Sequence, residues 1–138
     1  MDKALNYLSL ARKGGMAELG EEPVGAMSRT GKAYLVMVAS DASDHTWRRA
    51  KSFVAGTEQQ CIRLKATKEE MGFVVGRQSL AIAAITDVAL ALALVKSLGE
   101  PEKHKQVLEV LTAKAEKAKK RQNEAKAHKR NVRMGKKK

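Results

Sequence analysis

The sequence predicts an α/β sandwich around a small central sheet, with a basic helical extension at its C-terminal end. Three observations carry this. Helical and strand patterns alternate through residues 1–99. Two apolar runs, YLVMVA at residues 34–39 and LAIAAIT at residues 80–86, are continuous and of strand length, as a strand covered on both faces requires. Composition then shifts at LGEPEK, residues 98–103, after which apolar residues thin out and positive charge accumulates.

The elements follow in order. Residues 3–13 set Ala4, Leu5, Leu8 and Ala11 at helical spacing, and Gly14-Gly15 ends that helix. A second helix is expected over residues 20–30, where Pro23 falls in the first turn and costs no intrahelical hydrogen bond. The run 34–39 is a buried strand. Ser40-Asp41-Ala42-Ser43 then supplies capping side chains for a helix to about Ala55, closed by Gly56. A short strand is expected over residues 60–64. Thr67-Lys68-Glu69-Glu70 has the form of a capping box and opens a short helix ending near Gly76. The second buried strand spans residues 80–86, and Asp87 caps a helix to Leu98. Gly99 can close that helix and Pro101 suits the first turn of another, so the domain boundary is placed there. Residues 1–99 form the α/β domain. Residues 100–138 form a tail, helical through Val107, Leu108, Val110 and Leu111, and fraying beyond them for want of anything to bury.

Composition narrows the function. With 138 residues the chain can bury one real core, and with 4% aromatic residues that core must be built from Ala, Val, Leu, Ile and Met. The net charge of +12 calls for a polyanionic partner. Residues 1–99 hold 13 Lys+Arg against 10 Asp+Glu, a net of +3, and residues 100–138 hold 14 against 5, a net of +9. Cys61 is alone, which excludes an intramolecular disulfide and a thiolate metal cluster within one chain, and fits an inert buried thiol in a reducing cytoplasm. MDKALNYLSLARKGG has no apolar block of signal-peptide length, and the stretch 80–95 is too short and too polar at Thr86-Asp87 to span a bilayer. A soluble, cytoplasmic protein with no membrane partner is expected.

No enzymatic constellation is legible. SRTGK resembles the end of a phosphate-binding loop, but the first glycine would have to be at position 26, which is Ala26, and Lys32 is followed by Ala33. His45, His104 and His128 lack metal-ligand spacing and suit exposed or capping positions. Asp41 and Asp44 flank a helix start, where carboxylates favour the dipole. Ser9, Ser43 and Ser79 have no evident base. The expectation is a non-enzyme with no catalytic residues, no metal and no cofactor. Tyr34 is the one aromatic in the two strong strands, which excludes a sheet of stacking aromatics, and Trp47 suits a partly buried helix position. What remains are residues at element ends: Arg12 and Lys13 before Gly14-Gly15, the helix start Gly20-Glu21-Glu22, Lys32, and the segment Gly76, Arg77, Gln78 and Ser79. A helix N-terminus at Gly20 can offer backbone N–H groups to a phosphate or a base edge.

The ordered set LSLARKGG, GEE, RTGKAYLVMVASDAS, KEEMGxxxGR and AIAAITD resembles the ribosomal protein seven-Ae/thirty-e family of RNA-binding proteins, in its bacterial, ribosomal-protein-like branch. The resemblance covers residues 3–98. It implies a three-layer α/β/α sandwich around a mixed four-stranded sheet, and recognition of kink-turn RNA or a related internal loop. The family holds RNA with a helix-start motif, Gly-x-Asn-Glu-x-x-Lys in its archaeal form, and with the loop before the last strand. The glycine matches Gly20 and the loop matches Gly76 to Leu80, which adds Leu80 to the expected site. Glu22 stands at the Asn position, Pro23 at the Glu position and Ala26 at the Lys position. The function expected is that of a non-catalytic RNA-binding protein of the ribosome or translation apparatus, with structured RNA such as ribosomal RNA as partner. The alternative is a protein-interaction module of that apparatus, with its RNA site degraded and its tail a nonspecific anchor among ribosomal or translation-factor partners.

Overall fold

In a computed structural model, which describes residues 2–135 and the side chains of residues 2–127, the chain runs α1 (Lys3–Lys13), β1 (Ala17–Leu19), α2 (Glu21–Arg29), β2 (Leu35–Val38), α3 (Asp44–Val54), β3 (Gln60–Arg63), α4 (Lys68–Val74), β4 (Ile82–Ile85), α5 (Val88–Ser97) and α6 (Lys105–Gly135). The four strands form one mixed sheet in the order β1-β4-β2-β3. β4 is antiparallel to both β1 and β2, and β2 is parallel to β3. Helices cover both faces, so the architecture is the expected α/β/α sandwich with a C-terminal helix.

Strand alternation splits the core in two. Leu35 and Met37 of β2, with Ala83 and Ile85 of β4, turn toward α1, α4, α5 and α6. Val36 and Val38, with Ile82 and Ala84, turn toward Val24 of α2 and Ala50 of α3. All eight strand residues are buried, which is why both runs read as continuous apolar blocks. The expected caps are in place. Ser43 accepts from the Thr46 N–H, Asp87 from that of Leu90, and Thr67 closes a capping box with Glu70. Asp2, not among the caps expected from the sequence, also caps α1, accepting from the Ala4 N–H at 2.9 Å. Asp41 differs: its carboxylate accepts at 2.8 Å from the Lys68 N–H at the start of α4, tying the β2–α3 loop to another helix rather than capping its own.

Two features were not legible in the pattern. β1 is three half-buried residues, Ala-Glu-Leu, too short to show a period. It exists because β4 has an edge to pair, with Ala17 opposite Ile85 and Leu19 opposite Ala83. The tail is also not a separate appendage. The chain does break at residues 99–104, but Leu111 is fully buried in the larger core, and Val107, Leu108, Ala115 and Ala118 pack against it. The sparse apolar residues of α6 share one face and find the side of α5. Its backbone stays helical through Gly135, roughly 46 Å in all, where fraying was expected. His104, expected to be exposed or capping, is buried at the head of α6. Its pKa is lowered, chiefly by loss of solvent, then by Lys103, with Glu100 opposing. The side chain of His128 and residues 136–138 lie outside the described residues. No helix among the described residues is long and apolar enough to cross a membrane.

Two measurements test this packing. Leu111→Ala should cost about 2–5 kcal/mol in denaturant unfolding, as truncation of a fully buried leucine does. Deleting residues 100–138 should cost more, whereas deleting only residues 122–138 should leave the transition in place. Cys61, half-buried on β3, has its thiol pushed up to about 12 by burial, against a smaller opposing pull from Lys51 and Arg63. At pH 8 about one thiol in 10⁴ is then ionised, so alkylation of the native protein should be slow and should reach the rate of a free thiol only in denaturant.

Candidate nucleic-acid interface

The sheet has two ends, and the expected site residues divide between them. At one end the Gly20 N–H donates to the Ile82 carbonyl at 3.0 Å, and the Ala39 N–H to that of Ala81 at 2.9 Å. The start of α2, the α4–β4 loop and the β2–α3 loop therefore gather at the beginning of β4. At the other end the Thr86 N–H donates to the Met16 carbonyl. Arg12 and Lys13, closing α1, and Lys32, in the α2–β2 turn, stand at that second end, away from the rest.

Gly20 has φ 98° and ψ 161°, a conformation that favours glycine, and it leads into α2 without a side-chain cap. The first-turn N–H groups of Glu21 and Glu22 have no intrahelical acceptor, and Pro23 has none to donate. A Cβ at position 20 would lie 4.0 Å from a guanidinium nitrogen of Arg77, so the α4–β4 loop brings its one cation against the helix start. Gln78 and Ser79 are exposed beside it. Leu80 is not available as a contact: its side chain is buried, and its N–H donates to the Lys68 carbonyl at 2.9 Å. A loop entering a central strand must anchor itself, and Leu80 is that anchor.

Three residues that shape this face were missed. Gly72 lies inside α4, and a Cβ there would approach the Arg77 carbonyl and the Ser79 N–H nitrogen to 2.8 Å each. Only a bare backbone lets the loop fold down on the helix. A glycine inside a short helix costs about 0.5–1 kcal/mol, and that is the sequence signal by which a close approach could have been read. Arg49 of α3 lies 3.9 Å from Glu21, with both side chains partly exposed, so the pair offsets the Glu21 charge weakly. Trp47 is partly buried as expected, and Arg63 covers its ring at 4.8 Å, with Lys51 at 5.4 Å. No spacing in the sequence announces the Arg49–Glu21 and Arg63–Trp47 partners, which lie far apart along the chain.

The face thus offers a guanidinium, two free backbone N–H groups and the polar side chains of Gln78 and Ser79, together with the exposed Glu22 carboxylate in the first turn of α2. Donors of this kind hold a phosphate, and a carboxylate accepts from a base amino group. Among the described residues no cluster of three or more His, Cys, Asp or Glu is placed to hold a metal ion. Gly72→Ala should destabilise the protein by about 1–3 kcal/mol in chemical unfolding, because the added methyl meets backbone rather than a flexible side chain.

The same architecture occurs in known proteins. No protein-family model matches the sequence. The RNA-binding protein YlxQ of Enterococcus faecium is 37% identical over 67 residues, which is 49% of this chain and 65% of that protein, so the match spans just under two thirds of the relative. Among solved structures, a Bacillus halodurans protein of unknown function superposes with a TM-score of 0.67 at 22% identity, covering 72% of this chain and 100% of that one. The 15.5 kD RNA-binding protein of Giardia lamblia superposes with a TM-score of 0.53 at 20% identity, covering 72% of this chain and 84% of that one. At these identities the two structures show a shared fold.

Proposed function

We propose that the protein is a non-catalytic RNA-binding protein of the seven-Ae/thirty-e type, acting in the cytoplasm on structured RNA of the translation apparatus, ribosomal RNA included. The observation that carries this reading is the meeting of Gly20 and Arg77. The helix start and the loop that the family resemblance singles out, 57 positions apart, come together at one end of the sheet. The relative named as RNA-binding and the basic balance of +12 support the same partner class.

Within this reading Arg77 contacts phosphate. Arg77→Ala should weaken binding to all RNAs alike and reduce the salt slope by about one unit. An effect confined to one sequence would mean base readout instead.

Kink-turn specificity is the finer proposal, and Glu22 and Ala26 decide it. They are exposed, one turn apart on the same side of α2. Replacing Glu22 with Asn and Ala26 with Lys should raise affinity for kink-turn RNA by about tenfold, the lower part of the roughly 1–3 kcal/mol a bidentate base contact is worth. The comparison is a filter-binding series on kink-turn RNA and a straight duplex at several salt concentrations. Equal gains on both would sink the kink-turn reading and leave a basic RNA-binding domain.

One observation favours the second reading, a protein-interaction module. Phe73 is 75% exposed beside a pocket that Leu5 and Val74 floor and Asp2, Glu69 and Glu70 rim. If RNA is the sole partner, Phe73→Ala leaves RNA affinity unchanged and costs nothing in association with ribosomes.

A further inference from the structure

At the opposite end of the sheet α6 passes the start of β2 and the N-terminus of α5. There Tyr34, Val88, Lys114, Lys117, Ala118 and Arg121 line a pocket of about 120 Å³. Three cations and a phenol surround it. Lys114, Lys117 and Arg121 share one face of α6, where like charges three and four positions apart repel one another. The neighbouring face is different: Glu116, Lys119, Lys120 and Glu124 mix their signs there. One sign has been concentrated on the side that meets Tyr34.

Of these three cations, Lys114 is offset by a nearby acid and Lys117 and Arg121 are not. Glu58 stands 2.9 Å from Lys114, and its carboxyl is held below the ordinary value by the Lys114 hydrogen bond first, then by the Lys114 charge, with Lys117 adding less. Asp87 already accepts from the Leu90 N–H. Among the described side chains Lys117 and Arg121 have no carboxylate within salt-bridge distance. The volume is that of roughly four waters at about 30 Å³ each, far below the roughly 300–1,000 Å³ of a site for a drug-sized ligand. A phosphate group fits, and guanidinium, ammonium and phenol are all donors to its oxygens. Arg12, Lys13 and Lys32, set apart from the Arg77 face, stand at this same end.

We propose that this pocket seats a backbone phosphate of the bound RNA, so that the protein touches RNA at both ends of its sheet. The inference rests on RNA being the partner. The test uses the full chain and two charge-matched variants, Lys117→Ala/Arg121→Ala and Lys119→Ala/Lys120→Ala, all four positions being at least partly exposed. On a straight RNA duplex the first pair should flatten the salt slope by about 0.9 unit, the change expected when one duplex phosphate is no longer neutralised. The second pair should change it by less than half as much. Equal losses from both pairs would show diffuse charge, and no loss from the first would show that RNA does not reach the pocket; either overturns the proposal. A second measurement separates this from the RNA reading itself. Inorganic phosphate, titrated against labelled protein, should shift the Tyr34 amide resonance saturably in the wild type and not in Lys117→Ala/Arg121→Ala. If the wild type binds no RNA but shows that shift, the RNA reading fails and the phosphate site stands. If the shift is absent, the site fails whatever the RNA result.

Discussion

Strand β4 has to satisfy β1 on one side and β2 on the other while presenting apolar side chains to two separate cores, and the remaining structure is arranged around that demand. Four residues, Ile-Ala-Ala-Ile, meet it. Any polar side chain in them would sit unpaired between two layers, at a cost of about 1–3 kcal/mol or more. The two isoleucines fill one core each, and the two alanines let α5 on one face and α2 on the other come close. Because β4 is hydrogen-bonded along both edges, the loop entering it cannot drift. That loop is held by the Leu80 and Arg77 N–H bonds to α4, and it carries the Arg77 guanidinium to the start of α2.

The buried polar side chains Gln59 and Ser28 are hydrogen-bonded, and they fasten the second end of the sheet. The Gln59 side chain accepts from the Ala33 N–H at 2.9 Å and donates to the Ser28 carbonyl at 3.1 Å, bridging the end of α2 to the approach of β2. Among the described residues no buried side-chain nitrogen or oxygen lacks a partner. Each end of the sheet is therefore rigid for a different reason. A glycine-permitted close packing of loop on helix holds the Gly20 end, and a buried amide holds the other. Rigid ends are what allow small groups of cations to be presented at fixed positions instead of as a diffuse positive surface.

Charge and packing are also coupled in α6. Its apolar residues are too few to stabilise a helix of that length alone, and they dock only because α5 has an apolar flank left uncovered by α1. Docking in turn fixes which of the many lysines face the sheet. Lys114 reaches Glu58, and Lys117 and Arg121 line the pocket with Tyr34, while Lys119 and Lys120 face away with Glu116 and Glu124.

The sequence by itself determined the sandwich, the positions of six helices and three of the four strands, and the caps at Ser43, Thr67 and Asp87. Each of these rests on local rules: alternation of patterns, continuous apolar runs of strand length, and side chains that satisfy orphan N–H groups a few residues away. Gly20, Glu21, Glu22 and Arg77 were legible as candidates because they are polar or glycine residues at element ends. Tertiary structure decided the rest, because the deciding forces act between segments remote in sequence. β1 exists through an edge that β4 leaves open. The docking of Leu111 depends on the side of α5. The division of Arg12, Lys13 and Lys32 from Arg77 depends on which way each strand runs, and strand direction leaves no mark in an apolar run, whose burial pattern reads the same from either end.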